Sequence, residues 1–310
     1  MRELTTNEKT GSAGVIVAVL GILLGIPETR DALRSSWLCF FPPPKAIVVA
    51  SMNFPEQYAL GEVIAQMLQD RHVRVQRNVG QSGDDIRKGI EQDTVQCYVD
   101  YTGALFTRGL GQEPKSDEAA VYAYVKEEYA KKNVAISKQF EFESPWVILI
   151  RADTALRFNV HKMSDLARVA RRWRAAFVPD FVTDDIAGAD KFKEDYGLNF
   201  LHEETLFLSS IYNALSERRV DVISGNATDP ELLEAGFVTL EDDLHSFPPY
   251  FPVILARRDV IERVPALQEI MAKLPGEIDI SVMRDLNEKV KTHPNNIAAV
   301  VSEWRKVKGL

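Results

Sequence analysis

The feature that most restricts the fold is a strict alternation of short apolar runs with helically spaced segments. "AIVVAS" (46–51) is a continuous apolar run of strand length. "EQYALGEVIAQMLQD" (56–70) follows, with Leu60, Val63, Ile64, Met67 and Leu68 at helical spacing. "VRVQRNV" (73–79) alternates as a strand, "DDIRKGIEQ" (84–92) reads as a short helix, and "VQCYVDY" (95–101) is the next strand. Strands separated by helices build a mostly parallel sheet through right-handed crossovers.

A second set of the same kind begins near Ser144. "WVILIRA" predicts a strand, "MSDLARVARRW" a helix opened by Ser164, and "RAAFVPD" a strand. "SSIYNALSERR" predicts a helix and "VDVISGN" a strand, and after "HSFPPYFPVILARR" (245–258) the chain is helical to its end. Two sheets with a returning tail imply two lobes, 46–143 with 249–310 and 144–248, joined by crossings near Phe142–Ser144 and His245–Pro249. Ligands of open α/β sheets sit outside the carboxyl ends of the strands. Tyr98 and Tyr101 in "VQCYVDYTGALF" stand at such an end, three residues apart and so on different faces. One of them is expected to wall a solute cleft, with the other packing behind.

Residues 1–45 differ from the rest. "SAGVIVAVLGILLGIP" (12–27) is uncharged and almost wholly apolar. Sixteen such residues make a helix of roughly 24 Å, close to a ~30 Å hydrocarbon core. No small-x-small cleavage site follows, so the segment is expected to be an uncleaved membrane anchor, with the proline-rich "FFPPPK" (40–45) as a stiff spacer. The alternative is the apolar region of a signal peptide. Net charge is −8 over 310 residues, which repels phosphate backbones and argues against nucleic acid as a partner. The basic "RVARRWR" (168–174) reads as a solvated helix end. Cys39 and Cys97 lack motif spacing and are expected to be free thiols.

Chemistry of an enzymatic kind finds no carrier. The five histidines are scattered without metal-ligand spacing, and neither a nucleophile–base pair nor a phosphate-loop lysine is present. No cofactor, metal or catalytic residue is expected. "NVGQSGDDI" (78–86) opens a helix, but Asp84 and Asp85 already occupy its positive end and would repel an anion, so it reads as a cap. What remains is a set of aromatics beside turns: Tyr98, Tyr101, Trp146 and Tyr250. Taken singly, each is more often core than contact. Together they suit a quaternary ammonium group, which donates no conventional hydrogen bond and is held by cation–π attraction.

At this point the chain resembles the glycine betaine/choline-type substrate-binding proteins of ABC importers. "ASMNFPEQYALGEVIAQML" is similar to their opening signature, and "YVDYTGAL" to their Tyr-x-Glu-Tyr-Thr-Gly segment. "IYNALSERRVDVISGNATDPEL", "LEDDLHSFPPYFPVIL" and the terminal "VVSEWRKVKGL" follow in family order. The resemblance implies a two-lobed α/β periplasmic-binding-protein fold with two hinge crossovers. It also implies a small quaternary amine as ligand and an ABC permease in the membrane as partner, with the soluble domain outside the cytoplasm. Position by position, the aromatic box would draw on Tyr98 or Tyr101, then Trp146 and Tyr250, with Gln57 as a polar contact.

Departures from the family pattern bear on the ligand. Trp146 in "SPW" stands where tyrosine is usual, and Asn226 where a further tyrosine wall is common. Members that bind betaine carry a second-lobe arginine that clamps the carboxylate. The matching stretch "DFVTDDIAGADKF" (180–192) has none and offers Asp184 or Asp185 instead. A zwitterion's carboxylate is thereby disfavoured and a plain cation such as choline tolerated. The alternative reading is a sensory or interaction domain that kept the fold with a diverged ligand.

Overall fold

The computed structural model describes residues 45–233 and 236–310. The apolar segment 12–27 lies outside the described residues, as does Cys39. Among the described residues no helix is long and apolar enough to cross a membrane.

Two five-stranded sheets carry the fold. In the first, β1 (Ile47–Met52) lies between β2 (Val75–Gln81) and β3 (Cys97–Tyr101), all parallel. β4 (Val134–Ile136) closes the far edge. In the second, β5 (Trp146–Arg151) pairs with β8 (Val222–Asn226) and β9 (Phe237–Thr239), while β6 (Arg174–Phe177) pairs in parallel with β7 (His202–Thr205) and β8. β10 (Pro252–Arg257) returns to the first sheet between β3 and β4, antiparallel to both. The expected α/β architecture with two mostly parallel sheets is what the chain forms.

Each sheet has one antiparallel member, β5 or β10, and the reason is topological. The chain leaves the first sheet after β4 and enters the second at β5; it leaves after β9 and re-enters the first at β10. Each strand that arrives from the other sheet comes in at the carboxyl ends of its new neighbours. It must therefore run against them. Tyr101 ends β3 and faces Pro252 at the start of β10, while Trp146 starts β5 opposite Asn226 at the end of β8. Both cleft-side edges are thus set by the two crossings.

Helix α1 (Pro55–Asp70) begins with proline at its first position, where the missing N–H costs nothing, and buries Leu60, Val63, Ile64, Met67 and Leu68 completely. Helix α2 (Gly83–Glu91) opens with Asp84 and Asp85 in its first turn as expected, but its cap is Ser82: the Ser82 hydroxyl accepts from the Asp85 N–H at 3.2 Å, and Asp84 pairs with Arg87. Helix α3 (Glu118–Lys131) precedes β4. The second set adds α4 (Ala152–Phe158), α5 (Pro179–Val182), α6 (Ala189–Asp195) and α7 (Leu208–Ser216). After β10 come α8 (Arg258–Arg263), α9 (Pro265–Lys273), α10 (Ile280–Thr292) and α11 (Ile297–Lys308), the helical ending that the sequence predicts.

The expected helix at "MSDLARVARRW" is instead two short 3-10 turns, Met163–Arg168 and Ala170–Arg172. Ser164 does not cap. Its N–H and hydroxyl both donate to Asp243, at 3.1 and 2.7 Å, and the Asp165 carboxylate binds the N–H groups of His161 and Lys162. These side-chain bonds hold the backbone in tight turns in place of a continuous ladder. Cys97 is buried, and burial pushes its thiol up to about 12.

Apolar packing is separate in the two halves. One cluster fills the second sheet's two faces, and two more lie on opposite faces of the first. Between them the crossings are pinned backbone to backbone: Ser144 N–H donates to Tyr250 O at 2.9 Å and Phe140 N–H to Pro252 O at 3.0 Å. Gly103 sits beneath the returning crossing. A Cβ there would stand 2.8 Å from Pro249 O and 3.3 Å from Cε1 of Tyr250. Gly103→Ala is expected to destabilise the fold by about 1–3 kcal/mol through overpacking, read as a lower midpoint in urea unfolding with an unchanged slope.

Candidate functional site

The carboxyl ends of both sheets face the gap between the lobes, and side chains from both crossings converge there. On β3 the residues alternate. Tyr98 and Asp100 point to the face covered by α2 and α3, and Tyr101 points to the face covered by α1. Tyr98 is 0% exposed and packs in a core cluster with Ile86, Ile90, Val125 and Tyr129. Asp100, buried beside it, accepts from Arg87 Nη1 at 3.1 Å and from the Tyr101 N–H at 2.8 Å. Burial raises its pKa, and the guanidinium opposes that rise. Tyr101 is the tyrosine at the cleft, 7% exposed and stacked on Phe54 with ring centroids 6.3 Å apart.

Glu56 organises this corner. Its carboxylate, 2% exposed, accepts from the Tyr101 hydroxyl at 2.6 Å, and the Ser144 hydroxyl reaches its other oxygen at 3.5 Å. Ser144 in turn lies 3.2 Å from the Thr228 hydroxyl of the second sheet's loop. Gln57 is buried rather than solvent-facing, and its Nε2 donates to the same Tyr101 hydroxyl at 3.3 Å. It therefore positions Tyr101. Burial raises the Glu56 pKa above its ordinary 4.5; hydrogen bonds from Thr228, Tyr101 and Asn287 resist the rise, and nearby Asp229 adds to it.

The second lobe supplies Trp146, half-buried, with its ring 5.2 Å from that of Phe181. Asn226 stands across from it on β8, and its N–H donates to Asp229 at 2.8 Å. Tyr250, on the returning crossing, is buried over Gly103, and burial raises its hydroxyl pKa further in the field of Asp184. The structure thus brings Tyr101, Gln57, Trp146, Asn226 and Tyr250 to one end of the two sheets and leaves Tyr98 behind the first. Glu56, Phe54, Phe181 and Arg108 join them without having been singled out from sequence. Glu56 sits one residue from Gln57 in the same signature, and an acid in a first helical turn is common enough as a dipole partner to carry no signal of its own.

Further polar bonds span the lobes. Helix α10, on the first lobe, reaches the loop after β8. Arg284 donates twice to Ala227 O, at 2.7 and 3.1 Å, and Asn287 to Thr228 O at 3.1 Å. A hollow of about 410 Å³ lies elsewhere, on the outer face of the first lobe between α1 and the C-terminal residues. Its two arginines are already engaged by acids, Arg77 by Glu62 and Arg305 by Asp70.

A raised carboxyl pKa has a stability consequence with a definite sign. Between 4.5 and its higher folded value, Glu56 binds more protons in the folded state, so stability from this group is lost as pH rises through that window. Glu56→Gln keeps the shape and the acceptor for Tyr101 but does not titrate. Urea unfolding from pH 5 to 8 is expected to show the wild type losing stability relative to the variant as pH increases.

Comparison with known proteins identifies the family and the fold. Residues 45–307 match the family model of the substrate-binding domain of ABC-type glycine betaine transport systems. The chain is 26% identical over 271 residues to the ergothioneine transport permease/ergothioneine binding protein EgtU of Helicobacter pylori, a match covering 86% of this chain and 48% of that protein. It therefore spans about half of that relative. It is 24% identical over 245 residues to the carnitine transport binding protein OpuCC of Listeria monocytogenes, covering 78% and 80%. A crystal structure described as a glycine betaine/carnitine/choline ABC transporter shares the fold, with a TM-score of 0.71 at 21% identity over 84% of this chain and 97% of that one. With a family match over most of its length and the two-sheet cleft that such binding needs, the chain belongs to the substrate-binding domains of ABC-type glycine betaine transport systems, which bind their solute rather than transform it.

Proposed function

We propose that this protein is the extracytoplasmic receptor of an ABC importer for a quaternary-ammonium solute, which it holds between its lobes and hands to a membrane permease. The lobes are 46–143 with 249–310 and 144–248, and residues 12–27 anchor the chain to the membrane. The observation that carries the reading is the convergence of Tyr101 and Tyr250 from one lobe with Trp146 from the other at the cleft ends of both sheets. A trimethylammonium group presents only methyl groups with a spread positive charge, and aromatic faces attract it without needing a hydrogen bond. Glu56, buried at this corner among neutral hydrogen-bond donors, and Asp229 beside it add negative potential. That favours a choline-like cation over a glycine-betaine-like zwitterion.

Each aromatic wall is worth about 0.5–2 kcal/mol by cation–π attraction. Trp146→Ala and Tyr250→Ala are therefore each expected to weaken choline binding about 2- to 30-fold in calorimetric titration, with far-ultraviolet circular dichroism unchanged. Tyr98→Phe, altered behind the sheet, should leave the affinity within about twofold. Full affinity in both alanine variants would exclude the box as drawn.

A further inference from the structure

Arg108 and Asp184 face each other across the lobes. Arg108 lies in a π turn, Leu105–Gly109, that continues from the end of β3 through the turn Thr102–Ala104. Its side chain is 31% exposed. Asp184 follows the short helix α5 that leaves β6, and its side chain is 9% exposed. The guanidinium Nη2 donates to Asp184 Oδ1 at 2.9 Å, and Asp185 stands farther off at 4.0 Å.

The acid is fixed by its own loop. Asp184 Oδ1 also accepts the N–H groups of Ile186 and Ala187, at 3.2 and 3.0 Å. The loop turns so tightly that a Cβ on Gly188 would collide with the carbonyl oxygens of both Phe181 and Asp184. Phe181, three residues before Asp184, packs its ring 5.2 Å from that of Trp146, and Thr107, beside Arg108, donates to the carbonyl of Gly103, on which Tyr250 rests. The ion pair therefore borders the aromatic cluster. The stretch 180–192 contains no arginine, and the guanidinium that meets its Asp184 is Arg108, arriving from the opposite lobe.

We propose that the Arg108–Asp184 pair selects the ligand's charge: Arg108 is the group a ligand carboxylate would need, and Asp184 competes for it. A zwitterion has to draw Arg108 from a carboxylate that the loop holds in place, and then meets that carboxylate uncompensated. A plain cation leaves the pair intact. Arginine suits both partners because its planar fork pairs with one carboxylate as readily as another. The inference rests on the quaternary-ammonium reading and adds to it the residue pair that discriminates within that class.

A second role is available to the same geometry, a latch that merely holds the lobes together, and the two roles differ in what they predict. Choline and glycine betaine carry the same trimethylammonium group and differ in the carboxylate, so they serve as probes. Calorimetric titration of the purified full chain would compare the wild type with Asp184→Asn and Arg108→Gln, each checked for its melting temperature. The Asp184→Asn variant keeps an amide oxygen for the loop N–H groups, so the turn should survive, and Arg108→Gln tests the pair without touching that loop.

The wild type is expected to prefer choline. Asp184→Asn should shift the ratio of affinities at least tenfold toward glycine betaine, and Arg108→Gln should weaken glycine betaine while leaving choline within about threefold. Equal changes for both ligands in both variants would show a latch and overturn charge selection alone. Binding of neither ligand by any of the three folded proteins would overturn the quaternary-ammonium reading, and this inference with it.

Discussion

The hydrogen bond from the Tyr101 hydroxyl to the Glu56 carboxylate is the contact on which the cleft is built. A carboxylate 2% exposed is costly to hold unless each oxygen is met. One is met by the last residue of β3 and the other by Ser144, where the chain crosses between lobes. The Ser144 N–H is bonded to Tyr250 O on the other crossing, and its hydroxyl lies against Thr228. The need to satisfy one buried acid therefore ties together the first helix, the central strand, both crossings and the second sheet's loop.

What holds the lobes to each other differs in kind from what holds each lobe together. The apolar clusters stay on their own sheets, whereas the lobes meet through Arg284 and Asn287 on backbone carbonyls and through Arg108 on Asp184. Burying apolar surface is favourable at roughly 25 cal/mol per Å², while exchanging a polar contact for water costs about 0.5–1.5 kcal/mol net per hydrogen bond. Opening the gap therefore breaks bonds that water replaces and leaves the cores intact. The two backbone bonds between the crossings remain as the pivot, which is the arrangement that rigid-body hinge motion requires.

The frame was legible because it rests on periodicity. The α1 apolar stripe, the β1 and β5 runs and the start of α2 all lie within two residues of where spacing and composition put them. Side-chain competition was not legible: Ser164 looks like a cap, yet it directs both its N–H and its hydroxyl to Asp243, 79 residues away. The two tyrosines of β3 could be assigned to opposite faces, but the sequence did not say which face was the cleft. That depended on where α1 packs. Arg108 was beyond reach for a related reason. A π turn offsets the helical register after Thr-Gly, so no periodic rule carries its direction.

The acidity of the cleft also follows from how its acids are compensated. Asp100 is paired with Arg87 behind the sheet, and Asp184 has Arg108 across the cleft. Glu56 is met by the hydroxyls of Tyr101 and Ser144, whereas Asp229, bonded to the Tyr212 hydroxyl and the Asn226 N–H, also lies in the field of Lys291. Neutral donors stabilise a carboxylate without cancelling its field, and burial keeps water from screening it. Hydroxyls and backbone amides thus let this fold hold Glu56 beside the ring of Tyr101 without a guanidinium on that carboxylate. Under the proposed reading, tryptophan at 146, asparagine at 226 and acid at 184 suit a cation that lacks a carboxylate.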